Sequence, residues 1–161
     1  MNKSVKSMDV LHRKEILESW IESFYASYPD AARVLLKTEN DPFSNPVGST
    51  IRRSLENILN CAAEGGLPES IRGSLDDIIR IRAVQGYSPS EAVSFLFNLR
   101  KTVYDYLVQK DTCAVSIAEM SELDAWIDSV IALGFDIYME CRESLFSLKI
   151  NEIKKSALRV E

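Results

Sequence analysis

Residues 78–97 read IIRIRAVQGYSPSEAVSFLF, and the punctuation of this stretch sets the reading of the whole chain. Two apolar runs flank a short polar interruption. Gly86 can adopt the left-handed conformation that ends a helix without a Cβ penalty. Ser88 is a good N-cap, because its hydroxyl can accept a hydrogen bond from an orphan N–H of the next helix. Pro89 suits the first helical position, where its missing N–H would be unpaired anyway. Glu91, three residues after Ser88, completes a capping box. The stretch therefore predicts a helix stop, a capped restart and a packed corner between two helices.

The same punctuation extends in both directions. From Asp9 to Tyr28, Ile16, Leu17, Trp20, Ile21, Phe24 and Tyr28 recur at spacings of three and four, one face of an amphipathic helix. A short helix through Val34, Leu35 and Leu36 follows Pro29. TENDPFSNPVGST (38–50) is rich in turn formers and predicts a loop, with Ser49 or Thr50 capping the next helix. Ile51, Leu55, Ile58, Leu59 and Ala62 then form a stripe that Gly65-Gly66 ends, and Pro68 opens another helix running to Gly86. The helix from Pro89 reaches Lys110. After a break at 111–114, Ser116 and Glu119 repeat the capping-box pattern. The final helix runs from Ile117 beyond Ile150 without a proline. Gly134 within it allows a neighbouring helix to approach closely. No stretch alternates as a strand does. The expectation is one all-α domain over 1–161, a bundle of about six helices with a long C-terminal helix.

Bulk properties narrow the function. The chain has 161 residues, 46% apolar and 27% charged, as a globular domain does. A net charge of −5 argues against nucleic-acid binding, which calls for a basic face. No apolar run approaches the roughly 20 residues of a membrane span, and MNKSVKSMDV has no secretory h-region, so a cytoplasmic location and no membrane contact are expected. Cys61, Cys113 and Cys141 lack metal-ligand spacing and read as reduced thiols, mostly buried.

Chemistry is sparse. His12 is the one histidine, placed at a helix start where an exposed residue is expected, and a lone terminal histidine does not serve a triad. No phosphate-binding glycine motif occurs. Asp76 and Asp77 diverge by about 100° on a helix and are expected on its solvated side, pairing with Arg80 at an i,i+3 or i,i+4 offset. Arg80 and Arg82 also diverge. One of them is expected to be partly buried, holding the Asn45-Pro46 loop or a carboxylate. Trp20, Phe24, Tyr25, Phe95, Phe97, Tyr104 and Trp126 can line a pocket, or more simply form core. These residues give no convergent acid–base set, so no enzyme, metal or cofactor is expected.

Two segments together carry a resemblance: DPFSNPVGSTIRRSLENIL (41–59) and LDDIIRIRAVQGYSPSEAVSFLFNLRK (75–101). With Asn45, Pro46, Gly48, Arg80, Arg82, Gln85, Ser88, Pro89 and Glu91 as signature positions, the chain from about Ile16 to Leu148 resembles the N-terminal domain of the RsbR/RsbRD family, the RsbT co-antagonist or stressosome regulators. The resemblance implies a globin-like domain without haem, which agrees with the lack of any histidine after His12 to serve as a proximal ligand. It implies a homodimer and a last helix leading to a STAS or histidine-kinase output. The function implied is that of a sensory or protein-interaction domain of bacterial stress or sigma-factor signalling. No output module follows Glu161, so the expectation is an isolated domain or a stand-alone version acting on STAS or switch-kinase partners. The family's phosphoacceptor threonines lie outside such a domain, and no residue here inherits that role. Val130, Ile137, Leu145 and Leu148 on the last helix are the expected dimer contacts. A small apolar ligand held in a globin-like pocket is the alternative reading.

Overall fold

The computed structural model describes residues 10–37, 43–110 and 115–159, with the side chains of residues 10 and 11 left aside. These residues form α1 (Val10–Ala26), α2 (Asp30–Lys37), α3 (Pro46–Glu64), a 3-10 turn (Pro68–Ile71), α4 (Arg72–Val84), α5 (Pro89–Gln109) and α6 (Ile117–Leu158). No strand occurs among them, and the all-α bundle with a long last helix is as expected. α6 packs on α4 and α5, α3 on α4, and α1 on α5 and α3. Cys113 lies outside the described residues.

The predicted stripes are the core. Ile16, Trp20, Phe24, Leu55, Ile58, Leu75, Ile78, Phe95 and Leu96 have no exposed surface. Burying one such aliphatic side chain is worth about 1.5–3 kcal/mol. Gly65 (φ 67°) and Gly86 (φ 87°) hold the left-handed conformation at the ends of α3 and α4. Both capping boxes form: the Ser88 and Ser116 hydroxyls accept from the Glu91 and Glu119 backbone, and each glutamate accepts from its serine's backbone N–H, at 2.8 and 2.6 Å. A Cβ on Gly134 would stand 3.1 Å from Val93 Cγ1 and 3.3 Å from Ile79 Cδ1, so α6 lies closely against α4 and α5 there.

Several local expectations are corrected. The cap of α3 is Asn45, whose side chain reaches the Gly48 N–H, so the helix starts at Pro46, ahead of Ser49 and Thr50. Pro68 opens a 3-10 turn before α4. Of Val34, Leu35 and Leu36 in α2, the first two face outward and Leu36 is half-buried. His12 is half-buried and meets the Tyr106 ring edge-on. Asp77 is half-buried and accepts from buried Ser54 at 3.2 Å, so it faces α3.

α6 divides in two. Up to Cys141 it buries a residue every three or four positions, and after Cys141 none of its described residues is buried. Its 42 residues extend about 63 Å at 1.5 Å per residue. The helix runs unbroken past Ser144 and Ser147.

Candidate functional site

The α4–α5 corner is built around Arg82, which is 1% exposed. Its position on α4 turns it inward, whereas Arg80, two residues earlier, points out and pairs with Asp76 at 2.9 Å. Arg82 Nη1 donates to the Glu91 carbonyl at 2.8 Å and to Ser94 Oγ at 3.1 Å, and Nη2 donates to Ser27 Oγ at 2.9 Å. One guanidinium thus joins the end of α1 to the first turns of α5. Four rings enclose it, with Phe24 at 4.3 Å, Tyr87 at 5.3 Å, and Tyr28 and Phe95 at 5.6 Å. Ring faces attract a cation, and more strongly where water is excluded. Burial nonetheless pulls the Arg82 pKa down from its ordinary value. Arg82 therefore holds neither the Asn45-Pro46 loop nor a carboxylate, contrary to the sequence expectation. The helix period carries it away from α3, and the nearby Glu91 carboxylate is turned to the Ser88 N–H.

The corner continues outward. The Tyr28 hydroxyl donates to Gln85 Oε1 at 3.3 Å, and burial pushes the Tyr28 pKa up. The Tyr138 hydroxyl donates to the Tyr87 carbonyl at 2.6 Å. Tyr138 stands on α6 three residues before the last buried position, so the corner grips the helix just before it leaves the body. The Glu91 carboxyl is held below the usual carboxylate range by the Ser88 backbone N–H first and the Ser88 hydroxyl second.

A second cluster ties α2 to α3. Asn45 Oδ1 accepts from the Gly48 N–H at 2.9 Å while Nδ2 donates to the Leu36 carbonyl at 2.8 Å. One amide caps the end of one helix and the start of the next. A Cβ at Gly48 would lie 2.7 Å from the Leu36 carbonyl oxygen, which accounts for glycine at this position.

The signature positions fall into three places. Arg82, Gln85, Ser88, Pro89 and Glu91 share the α4–α5 corner; Asn45, Pro46 and Gly48 form the α2–α3 clasp; Arg80 stands on the outer face of α4. Of the expected dimer contacts, Val130 (0% exposed) and Ile137 (1%) belong to the chain's own core and are out of a partner's reach. They occupy the face of α6 turned toward α4 and α5. Leu145 is half-buried and Leu148 is 60% exposed. Sequence reasoning gave no role in the corner to Ser27, Tyr87, Ser94 and Tyr138; Tyr87 and Ser94 stand in the stretch that prompted attention, whereas Ser27 and Tyr138 lie far from it along the chain.

The aromatic residues are mostly packing. Trp20 stacks on Phe95 at 6.2 Å, Phe24 meets Phe95 edge-on at 5.8 Å, and the Trp20 indole donates to the Phe95 carbonyl at 2.7 Å. Phe97 and Tyr104 lie toward solvent, and half-buried Trp126 donates to the Gly66 carbonyl at 2.8 Å. A groove of about 400 Å³ between α1 and α3 is lined largely by charged and polar groups, including Arg13, Lys14, Arg52 and Glu56. Arg52 there pairs with Glu18.

Residues 14–152 match the family described as the RsbT co-antagonist protein rsbRD N-terminal domain. The chain belongs to this family. The match takes in both the corner and the clasp. A similar relative is an uncharacterised protein of Archaeoglobus fulgidus, 24% identical over 145 residues, which cover 88% of this chain and 85% of that protein. No solved structure matches. As an rsbRD-type N-terminal domain, the chain is placed among stress-signalling regulator domains. Its described residues include no helix long and apolar enough to cross a membrane.

Proposed function

We propose that this rsbRD-type domain is a sensory or protein-interaction domain of a bacterial stress or sigma-factor regulator, working in the cytoplasm through protein partners and without catalysis. The observation that carries this reading is the second part of α6. Phe146 (65% exposed), Leu148 and Ile153 (68%) stand on helix that leaves the body. Ala132, Met139, Phe146 and Ile153 are exposed and spaced by seven, the interval of a left-handed two-helix seam. A second copy of the chain is the occupant this spacing favours, with half-buried Ile150 beside the seam. Leu148 stands on another face, continuing the row of Tyr138, Cys141 and Leu145. Paired exit helices would present one joint surface to STAS or switch-kinase proteins.

Sedimentation of the full chain at micromolar concentration tests the reading. A dimer is expected, converted to a folded monomer by Phe146→Glu with Ile153→Glu. Leu145→Glu with Leu148→Glu examines the other apolar row. A wild-type chain that sediments only as a monomer, or a dimer that survives both double substitutions, removes α6 from the interface.

A further inference from the structure

Arg82 differs from the other inward-leaning arginines in lacking an anion. Arg13, Arg33, Arg52, Arg72 and Arg100, all half-buried, each meet a carboxylate within 4 Å. Arg82, the most buried, has no ion-pair partner among the described residues, and its Nε makes no hydrogen bond. A charge taken out of water without a counter-ion is costly, and hydroxyls, a carbonyl and ring faces answer it only in part.

The surroundings show where an anion would sit. The guanidinium is covered by exposed Ser27 and half-buried Ser94, whose hydroxyls accept from it at 2.9 and 3.1 Å and donate to the Phe24 and Glu91 carbonyls. Arg33 donates to the carbonyls of Tyr25 and Tyr28, on either side of Ser27 in the chain, at 3.2 Å each, and pairs with Asp30 at 3.3 Å. Guanidinium groups recognise carboxylate and phosphate oxygens in particular, through directed N–H donors.

We propose that Arg82 forms the floor of an oxyanion site at the junction of α1, α4 and α5, with Ser27 and Ser94 at its mouth, taking a carboxylate or phosphate-type group. The inference goes beyond the α6 interaction surface and does not depend on it. An occupant would bear on Tyr87, and through its carbonyl on Tyr138 at the root of the exit helix.

The test titrates the full chain with sodium phosphate and, separately, sodium acetate against sodium chloride at matched ionic strength. Thermal midpoint is one readout; the other is fluorescence in a Trp126→Phe background, where Trp20, stacked on Phe95 of the ring cage, is the reporter. Phosphate or acetate should raise the midpoint saturably beyond chloride, by about 2–4 °C at roughly five times its Kd. A response to one anion alone names the class; a response to both assigns the shared oxyanion chemistry. Arg82→Gln should abolish it. Should that variant fail to fold, Ser27→Asp keeps the test open. It places a carboxylate at Nη2, and should raise the midpoint and remove the response to added anion, although an acid at the C-terminal end of α1 opposes the helix dipole. Phosphate and acetate indistinguishable from chloride, a response that persists in Ser27→Asp, or a Ser27→Asp chain less stable than wild type would overturn the site and leave Arg82 a structural strut.

Discussion

The two parts of α6 are one continuous helix, the first the more apolar, and their fates are opposite. Between Ile117 and Cys141, Leu123, Ile127, Val130, Ile137 and Tyr138 are buried against α4 and α5. Between Arg142 and Leu158, comparably apolar residues remain in solvent. No break in the helix separates them, since neither contains proline, although the sequence turns more polar after Cys141. The boundary is set from outside, where Arg72 grips Glu140 through two contacts at 2.7 and 2.9 Å and Tyr138 reaches the Tyr87 carbonyl. Apolar periodicity therefore announces a face to be covered, and the neighbours decide whether this chain or another covers it.

The sharpest way to break the comparison is to delete equal groups on each side. Ile137→Ala removes a core side chain and should lower stability by about 2–5 kcal/mol. Leu148→Ala should move the unfolding of a dilute sample by no more than about 0.5 kcal/mol, as at an ordinary surface position. Chemical denaturation of the pair measures this, and equal losses would abolish the distinction. Gly134→Leu should lower stability by about 1–3 kcal/mol by overpacking Val93 and Ile79, with the same measurement as the check. Ser116→Ala removes the cap that starts the buried part. It should cost about 1 kcal/mol, and an unchanged denaturation midpoint would show the cap to be idle.

The smallest effect concerns the corner that holds the root of the projecting part. The Ser88 backbone N–H holds the Glu91 carboxyl below the usual carboxylate range in the folded chain. A depressed carboxylate contributes stability that is present above the unfolded value and lost as pH falls through the folded one. Stability should thus fall below about pH 4.5, and Glu91→Gln should flatten that part of the pH profile. Thermal midpoints of both proteins across pH 3–6 supply the comparison. Superimposable slopes would mean that the Glu91 carboxylate has no such role.

The helices were legible because their causes are local. Ser88, Pro89 and Glu91 specify a helix start within four residues, Gly86 a stop, and the threes and fours of Ile16–Phe24 a buried face. Asn45 was less legible, since its cap on α3 is local but its bond to Leu36 crosses a loop. The ring cage was not legible. Phe24, Tyr28, Tyr87 and Phe95 lie on three segments of chain, and no spacing rule connects them to Arg82.

Sequence by itself determined the all-α architecture, the two capping boxes, the order of helices and the length of α6, since propensity, capping and period act within a few residues. It also identified Arg80 and Arg82 as a pair to explain. Tertiary structure alone decided that Arg82 turns inward without a carboxylate, and that Val130 and Ile137 are core while Leu148 remains exposed. Those outcomes depend on which surfaces approach from other helices, and a helix carries no local record of what will be packed against each of its faces.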